Sequence, residues 1–165
     1  MKNNEFIEVI APVLIRTFGS GRLRNIVVHL SPLGLIPRAK NATPSSIAWL
    51  LCGLIFAPTT QSDKLGDWGR AKMTDWAKGE NPFTLLRALL TFPGNAHGIE
   101  ALFINKTIGS VTAYCKDGSE LHAGPTEKAS IAEIVAIDPT FITWLADRLA
   151  EIAKAPENAG KAILN

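Results

Sequence analysis

Cysteine is scarce in this sequence: the chain has two, Cys52 and Cys115, and they stand far apart. Their number and spacing are typical neither of a disulfide framework nor of a set of metal ligands. We therefore expect two reduced cysteines that act as small core residues, as in a cytoplasmic protein.

Signals for export or membrane insertion are also lacking. The first residues, MKNNEFIEVIAP, place an acid inside their apolar stretch and contain no small-residue cleavage site, so we expect no signal peptide. The longest apolar run, residues 47–58, has about a dozen residues, whereas a membrane-spanning helix needs about 20. The sequence predicts a cytoplasmic protein with no membrane partner.

No catalytic or cofactor-binding signature can be recognised. His29, His97 and His122 have no companion at metal-ligand spacing and no cysteine pair nearby. No serine lies in a G-x-S-x-G elbow, and Gly19 and Gly21 give only part of a phosphate-binding fingerprint. We expect no catalytic residues, no metal site and no cofactor, and an enzyme whose site assembles in space is a minor alternative.

Charged residues make up 19% of the chain, below the roughly 25% that is usual in soluble domains. Together with the near-continuous apolar stretches, this indicates that a partner or a second copy covers part of the surface. We expect a homodimer. A chain of 165 residues with 47% hydrophobic content can bury one good core, in one domain or in two small packed subdomains.

The charge that is present is unevenly divided. Residues 1–50 carry six Lys or Arg against two Glu, residues 51–98 carry five basic residues against four acidic ones, and residues 99–165 carry six against nine. The net charge therefore changes from +4 through +1 to −3 along the chain. A basic N-terminal half favours an anionic partner, and an acidic C-terminal half is better suited to dimerisation or to contact with another protein.

Periodicity predicts two short helices near the N-terminus. Apolar residues over about residues 5–18 follow a helical period, and residues 19–21 make a tight turn. A second helix then starts with Ser20 as its N-cap and runs to about Leu30, before Ser31-Pro32 ends it. Two helices joined by a short glycine-containing turn are typical of a helix-turn-helix, and equally of an ordinary helical hairpin.

Two later helices have strong start signals. Thr43-Pro44 and Asn81-Pro82 each combine an N-cap residue with proline at the first helical position. The helix after Thr43, SSIAWLLCGLIFA, is apolar on all faces and is predicted to be the central core helix. A weaker helix is predicted between the two, over residues 65–78.

The second half changes to the period of β-strands. Residues 99–108 and 111–116 and a short segment at Leu121 predict a three-stranded meander, with a hairpin turn at Asp117-Gly118. Residues 130–137 fit a fourth strand or a helix equally well. A last helix runs from Pro139 to about Lys154 and can cover one face of the sheet.

These elements predict an α+β fold. A helical N-terminal half with a helix-turn-helix-like unit precedes a three- or four-stranded antiparallel meander packed by a helix. We divide the chain into a helical half that we expect to bind DNA (residues 1–95), a small α+β half for dimerisation or partner contact (96–156) and a flexible tail (157–165).

Double-stranded DNA is the partner that the basic run favours. Arg22 and Arg24 begin the second helix, where we expect them to be exposed and to face a groove, and Asn25 has the side chain that suits an adenine edge. His29 lies further along the same helix. The flanking basic residues would contact phosphates, which position a protein without specifying sequence: Arg16, Arg38 and Lys40. For each arginine singly, a solvated surface side chain is the alternative.

The segment LGLIPR (residues 33–38) resembles the GLLP turn that follows the second helix in mercury-resistance-type winged-helix regulators. With Thr43-Pro44 and the apolar residues that follow, it is more similar to small regulatory proteins of alphaproteobacterial prophages and gene transfer agents. The resemblance covers roughly residues 5–57 and implies a DNA-binding unit, a following apolar helix and transcriptional control, with a partner subunit or RNA polymerase. Only residues 39–42 stand where such proteins often have a Gly/Arg-rich wing.

We therefore predict a DNA-binding transcriptional regulator of phage type that is not an enzyme. Its expected partners are double-stranded DNA, a second copy of itself, and a protein such as RNA polymerase or a second regulator. The alternative is a phage-type inhibitor or adaptor that docks on a host protein without binding nucleic acid.

Overall fold

The computed structural model describes residues 10–36, 42–58, 62–128 and 131–163. Within these ranges the chain forms seven helices and one four-stranded antiparallel sheet. Six helices precede the sheet and one follows it, so the protein has the α+β fold that the sequence predicts.

The helices are α1 (Ala11–Phe18), α2 (Ser20–Leu30), α3 (Pro44–Phe56), α4 (Ser62–Asp75), α5 (Pro82–Thr91), α6 (Pro93–His97) and α7 (Pro139–Ile163), with a 3₁₀ turn over Ser31–Leu33. The strands are β1 (Ile99–Asn105), β2 (Ser110–Cys115), β3 (Glu120–Ala123) and β4 (Ile134–Ile137).

Reciprocal hydrogen bonds start α3 and α5 where the sequence predicts. At α3 the Thr43 hydroxyl accepts from the Ser46 amide at 3.1 Å, and the Ser46 hydroxyl accepts from the Thr43 amide at 2.9 Å. Asn81 and Thr84 make the same exchange at the start of α5. Each pair satisfies two backbone donors that have no partner within the helix.

The junction between α1 and α2 differs from the prediction. A single residue, Gly19, separates the two helices, and its φ of 87° lies in the region that favours glycine. Ser20 and Gly21 already belong to α2, and the N-cap residue is Gly19, with no side-chain cap. The predicted three-residue turn and the Ser20 N-cap are therefore wrong, because one glycine is enough to redirect the chain.

The sheet has the order β3-β2-β1-β4. Strands β1 to β3 form the predicted meander, and the turn between β2 and β3 lies at Asp117-Gly118. The ambiguous segment is a strand, β4, which pairs antiparallel with β1 along the other side. α5 and α7 contact the strands of the sheet. α7 continues to Ile163, past its predicted end at Lys154 and into the segment predicted as a flexible tail.

One apolar core spans both halves of the chain. Its centre is α3, in which every residue from Ser46 to Ile55 is buried, as the sequence predicts for a helix that is apolar on all faces. α5 contacts α3 on one side and α7 on another. The predicted boundary at residue 95 therefore marks a change in secondary structure within one continuous core.

Arg22 joins α2 to the C-terminal end of α3. Its guanidinium donates to the carbonyl oxygen of Leu54 at 2.8 and 3.0 Å, to that of Ala57 at 2.8 Å and to that of Gly53 at 3.3 Å. The last carbonyls of a helix have no partner within the helix and carry its negative dipole end, so a cation stabilises them.

The two helices approach closely at this end. A Cβ atom at Gly53 would lie 2.8 Å from Cγ2 of Ile26 and 3.0 Å from Cδ1 of Leu30. Because Gly53 has no side chain, α2 can lie against α3 at the separation that the Arg22 hydrogen bonds require.

No helix in the ranges given above combines the length and the apolar character that crossing a membrane requires.

Replacing Arg22 by Met tests the contact between α2 and α3. The substitution keeps an apolar stem but removes the donors, and we expect the free energy of unfolding to fall by about 1–3 kcal/mol, as for lost hydrogen bonds to a charged group. Urea denaturation followed by tryptophan fluorescence measures the change. The matched control Arg24→Met, at an exposed position of the same helix, should change stability by less than about 0.5 kcal/mol. Equal stability of the two variants would show that the Arg22 hydrogen bonds contribute nothing.

Candidate nucleic-acid interface

Helix α2 has one buried and one exposed face. Leu23, Ile26 and Leu30 are buried, because residues three and four apart lie on the same side of a helix. These three side chains pack toward the core. Arg24 is exposed on the other side, and Asn25 is partly exposed.

Arg16 is exposed in the last turn of α1, while Ala11 and Leu14 of that helix are buried. Within the described ranges, neither Arg16 nor Arg24 makes an ion pair or a side-chain hydrogen bond that would neutralise its charge. The ion pairs found there all involve later residues: Arg70–Asp67, Lys72–Asp75, His97–Asp147, Lys106–Glu133 and Arg148–Glu151. The charges of Arg16 and Arg24 therefore face solvent.

The reason for this lack of partners lies in the sequence, which has no Asp or Glu between Glu8 and Asp63. This acid-free segment contains all of α1, α2 and α3. The exposed sides of α1 and α2 therefore present arginines and no carboxylates of their own.

Arg22 does not belong to this exposed surface. It is partly buried, burial lowers the pKa of its guanidinium, and its donors are directed to the end of α3. The expectation that Arg22 is an exposed arginine is therefore wrong. A DNA contact by Arg22 stays a prediction, and it would require the guanidinium to leave the carbonyl oxygens of Leu54 and Ala57.

The remaining predicted site residues fall in two groups. His29 is partly exposed on α2, in the turn after Asn25. Arg38 and Lys40 lie outside the described residues.

Because Gly19 alone separates α1 from α2, the junction is shorter than the turn of three to four residues that characterises a helix-turn-helix. The helix-turn-helix unit is not confirmed.

Two apolar side chains lie exposed on the same helices as the arginines. Ile15 of α1 is 41% exposed and Val28 of α2 is 44% exposed. In a nucleic-acid interface, such side chains can contact the methyl group of thymine.

A second exposed surface, the outer sheet face, lies on the side of the sheet away from α5 and α7. Phe103 of β1 and Tyr114 of β2 are 39% and 43% exposed there, with ring centroids 6.0 Å apart. Register places Thr112 opposite Phe103 and His122 opposite Thr112. Side chains alternate along a strand, and Val111 and Ala113 are buried on one face of β2, so Tyr114 lies on the other.

His122 attaches a loop to this outer sheet face. Its Nε2 lies 3.1 Å from the carbonyl oxygen of Pro125, and its Nδ1 lies 2.9 Å from Oγ1 of Thr112. A carbonyl oxygen only accepts, so Nε2 carries the proton, and in the neutral ring Nδ1 accepts from the Thr112 hydroxyl. The ring is thereby committed to structural hydrogen bonds.

Neither a cluster of metal-ligating side chains nor a reactive Cys52 thiol is found among the described residues. Across the part of the chain that the structure describes, no three His, Cys, Asp or Glu side chains cluster closely enough to hold a metal ion. Cys52 is fully buried, and burial raises the pKa of its thiol, which keeps it in the unreactive protonated form.

No family of known proteins, no curated protein and no solved structure matches this chain. Its function therefore has to be inferred from the chemistry of its own surfaces.

Proposed function

We propose that the protein is a transcriptional regulator of phage type that binds double-stranded DNA through the exposed sides of α1 and α2. The observation that carries this proposal is the exposure of Arg16 and Arg24, without ion pairs to described residues, in a segment that contains no carboxylate. Phosphates are the most abundant anions on DNA, and exposed arginines bind them with both charge and geometry.

The two sides of this interface would have different tasks. Arg24 and Asn25 are consecutive residues of α2. In the major groove, an arginine can pair with guanine and an asparagine with adenine. Arg16 would contact the backbone from α1, together with Arg38 and Lys40, and His29 would lie further along α2. Arg22 would support the interface indirectly, because it fixes α2 against α3.

The first experiment is retention of mixed genomic DNA fragments by the purified protein at about 50 and 200 mM salt, followed by sequencing. We expect a few discrete sites whose retention weakens steeply as salt rises, because each phosphate contact releases counterions. No retention at either salt concentration would contradict the proposal.

With a retained site in hand, the double variant Arg16→Met with Arg24→Met tests the arginines. The slope of log affinity against log salt should become shallower by about 1, because Arg16 makes one phosphate contact and each such contact contributes about 0.9, whereas the loss of Arg24 should relax the discrimination of one base pair. The matched control is Arg70→Met with Arg148→Met, two exposed arginines that are each paired with a carboxylate. Its slope should equal that of the unmodified protein; an equal loss in both double variants would show a nonspecific effect of net charge.

Asn25→Ala separates base recognition from phosphate contact. If Asn25 reads an adenine edge, discrimination at one base pair should fall by about 1–3 kcal/mol while the salt slope stays the same. Binding assays with each of the four bases at every position of the site measure this change. A uniform loss across all sequences would place Asn25 outside the groove.

The outer sheet face supports a second candidate function, a protein-binding adaptor. Its exposed aromatic pair is typical of protein interfaces, in which tyrosine and phenylalanine are enriched. The charged residues around it include Glu120, Glu127 and Lys128, and this balance disfavours a polyanionic partner.

Photo-crosslinking in cells tests the adaptor function. p-Benzoylphenylalanine in place of Tyr114 should give one discrete protein adduct, whereas the same group in place of Phe92 should not. Phe92 is also an exposed aromatic residue, but it follows α5, on the other side of the sheet. Identical adducts from both positions would exclude a specific partner at the outer sheet face.

A further inference from the structure

A pocket lies between the helical half of the chain and the edge of the sheet. α1 and α3 supply one wall, and β4 and the start of α7 supply the other. Its volume is about 250 Å³, and the side chains that form its walls are chiefly apolar: Leu14, Phe18, Leu51, Ile55, Val135 and Phe141. Neither the DNA-binding proposal nor the adaptor proposal uses this pocket.

The size of the pocket limits its occupant. An apolar cavity of roughly 150 Å³ holds a benzene ring, so this pocket has room for a single ring with a short arm. Small-molecule pockets of proteins share this character of apolar walls with a few polar groups that fix orientation.

Two polar side chains line the pocket, and they differ in what they can offer. The Thr17 hydroxyl donates to the carbonyl oxygen of Val13 at 3.3 Å. Asp138, just before α7, is the one lining residue with an ionisable side chain among those that the structure describes. Asp138 is exposed to solvent where it borders the pocket, and its negative charge there favours a cation over an anion.

The carboxylate of Asp138 is held in place by one of its oxygens. Oδ1 accepts from the Thr140 amide at 2.9 Å and from the Thr140 hydroxyl at 2.7 Å. These hydrogen bonds lower the pKa of Asp138, which favours its charged form. The other oxygen, Oδ2, accepts no hydrogen bond from the described residues and is available to a ligand.

We propose that this pocket binds a small organic amine, whose apolar ring lies between α1, α3 and β4 and whose ammonium group donates to Asp138. This inference does not depend on DNA binding. It assigns to the chain a ligand site of defined chemical class: a primary ammonium on a short arm, attached to a ring of benzene size.

Three small molecules that share a phenyl ring and differ in charge test the site. They are 2-phenylethylamine, the neutral 2-phenylethanol and the anionic 3-phenylpropionate, titrated into the full chain near neutral pH and followed by amide chemical shifts in NMR. We expect saturable shifts at pocket residues with the amine, affinity about tenfold weaker with the alcohol, and no binding of the acid. Equal affinity for all three probes, or no saturable shift with the amine, would overturn the proposal.

Asp138→Asn removes the charge and keeps the helix cap, since asparagine caps helices as well as aspartate does. The affinity for the amine should fall to that for the alcohol. The matched control is Asp117→Asn, because Asp117 makes the same pair of hydrogen bonds, to the amide and hydroxyl of Ser119, and does not line this pocket. Unchanged amine affinity in Asp138→Asn, or an equal loss in both variants, would overturn the role of Asp138.

Thr17→Phe narrows the pocket from an exposed position on α1. We expect this variant to bind neither the amine nor the alcohol, while its far-ultraviolet circular dichroism and its unfolding transition stay as in the unmodified protein. Retained binding in the folded variant would place the ligand elsewhere.

Discussion

The burial of α3 on all sides is the constraint on which the rest of the structure depends. A helix with no face toward solvent needs other elements to cover every side, and here α2 and α5 pack directly against it. The ends of such a helix also need protein partners, because buried backbone groups without hydrogen bonds are costly. Thr43 and Ser46 supply them at the N-terminus, and Arg22 supplies them at the C-terminus.

Local signals explain how much of this fold the sequence predicts. N-cap residues followed by proline located the starts of α3 and α5, and alternation located the meander, because these signals depend on residues near each other in the chain. Residues 130–137 are ambiguous in the sequence, since their apolar run fits both periods. Pairing with β1, about 30 positions earlier, makes Ile134–Ile137 a strand. The Ser20 N-cap was wrong because Gly19 alone redirects the backbone.

The candidate sites likewise combine features that the sequence predicts with features that it does not. The absence of carboxylates around Arg16 and Arg24 can be read from the sequence, and the inward face of α2 follows from its spacing. The position of Arg22 could not be predicted, because its acceptors lie more than 30 residues away. The pocket at Asp138 could not be predicted from the sequence either, since its walls come from α1, α3 and β4, three segments that are far apart in the chain.

The contact of Arg22 with α3 has a consequence for the response of the protein to acid. Hydrogen bonds from Ser119 and Thr140 lower the pKa values of Asp117, in the turn between β2 and β3, and Asp138, before α7, and this stabilisation is lost in the acid range, where the carboxylates become protonated. The contact between the Arg22 guanidinium and backbone carbonyls contains no group that titrates in this range. Between Glu8 and Asp63 there is also no carboxylate to protonate. Acidification therefore weakens the turn between β2 and β3 and the start of α7, while it leaves the junction of α2 and α3 intact.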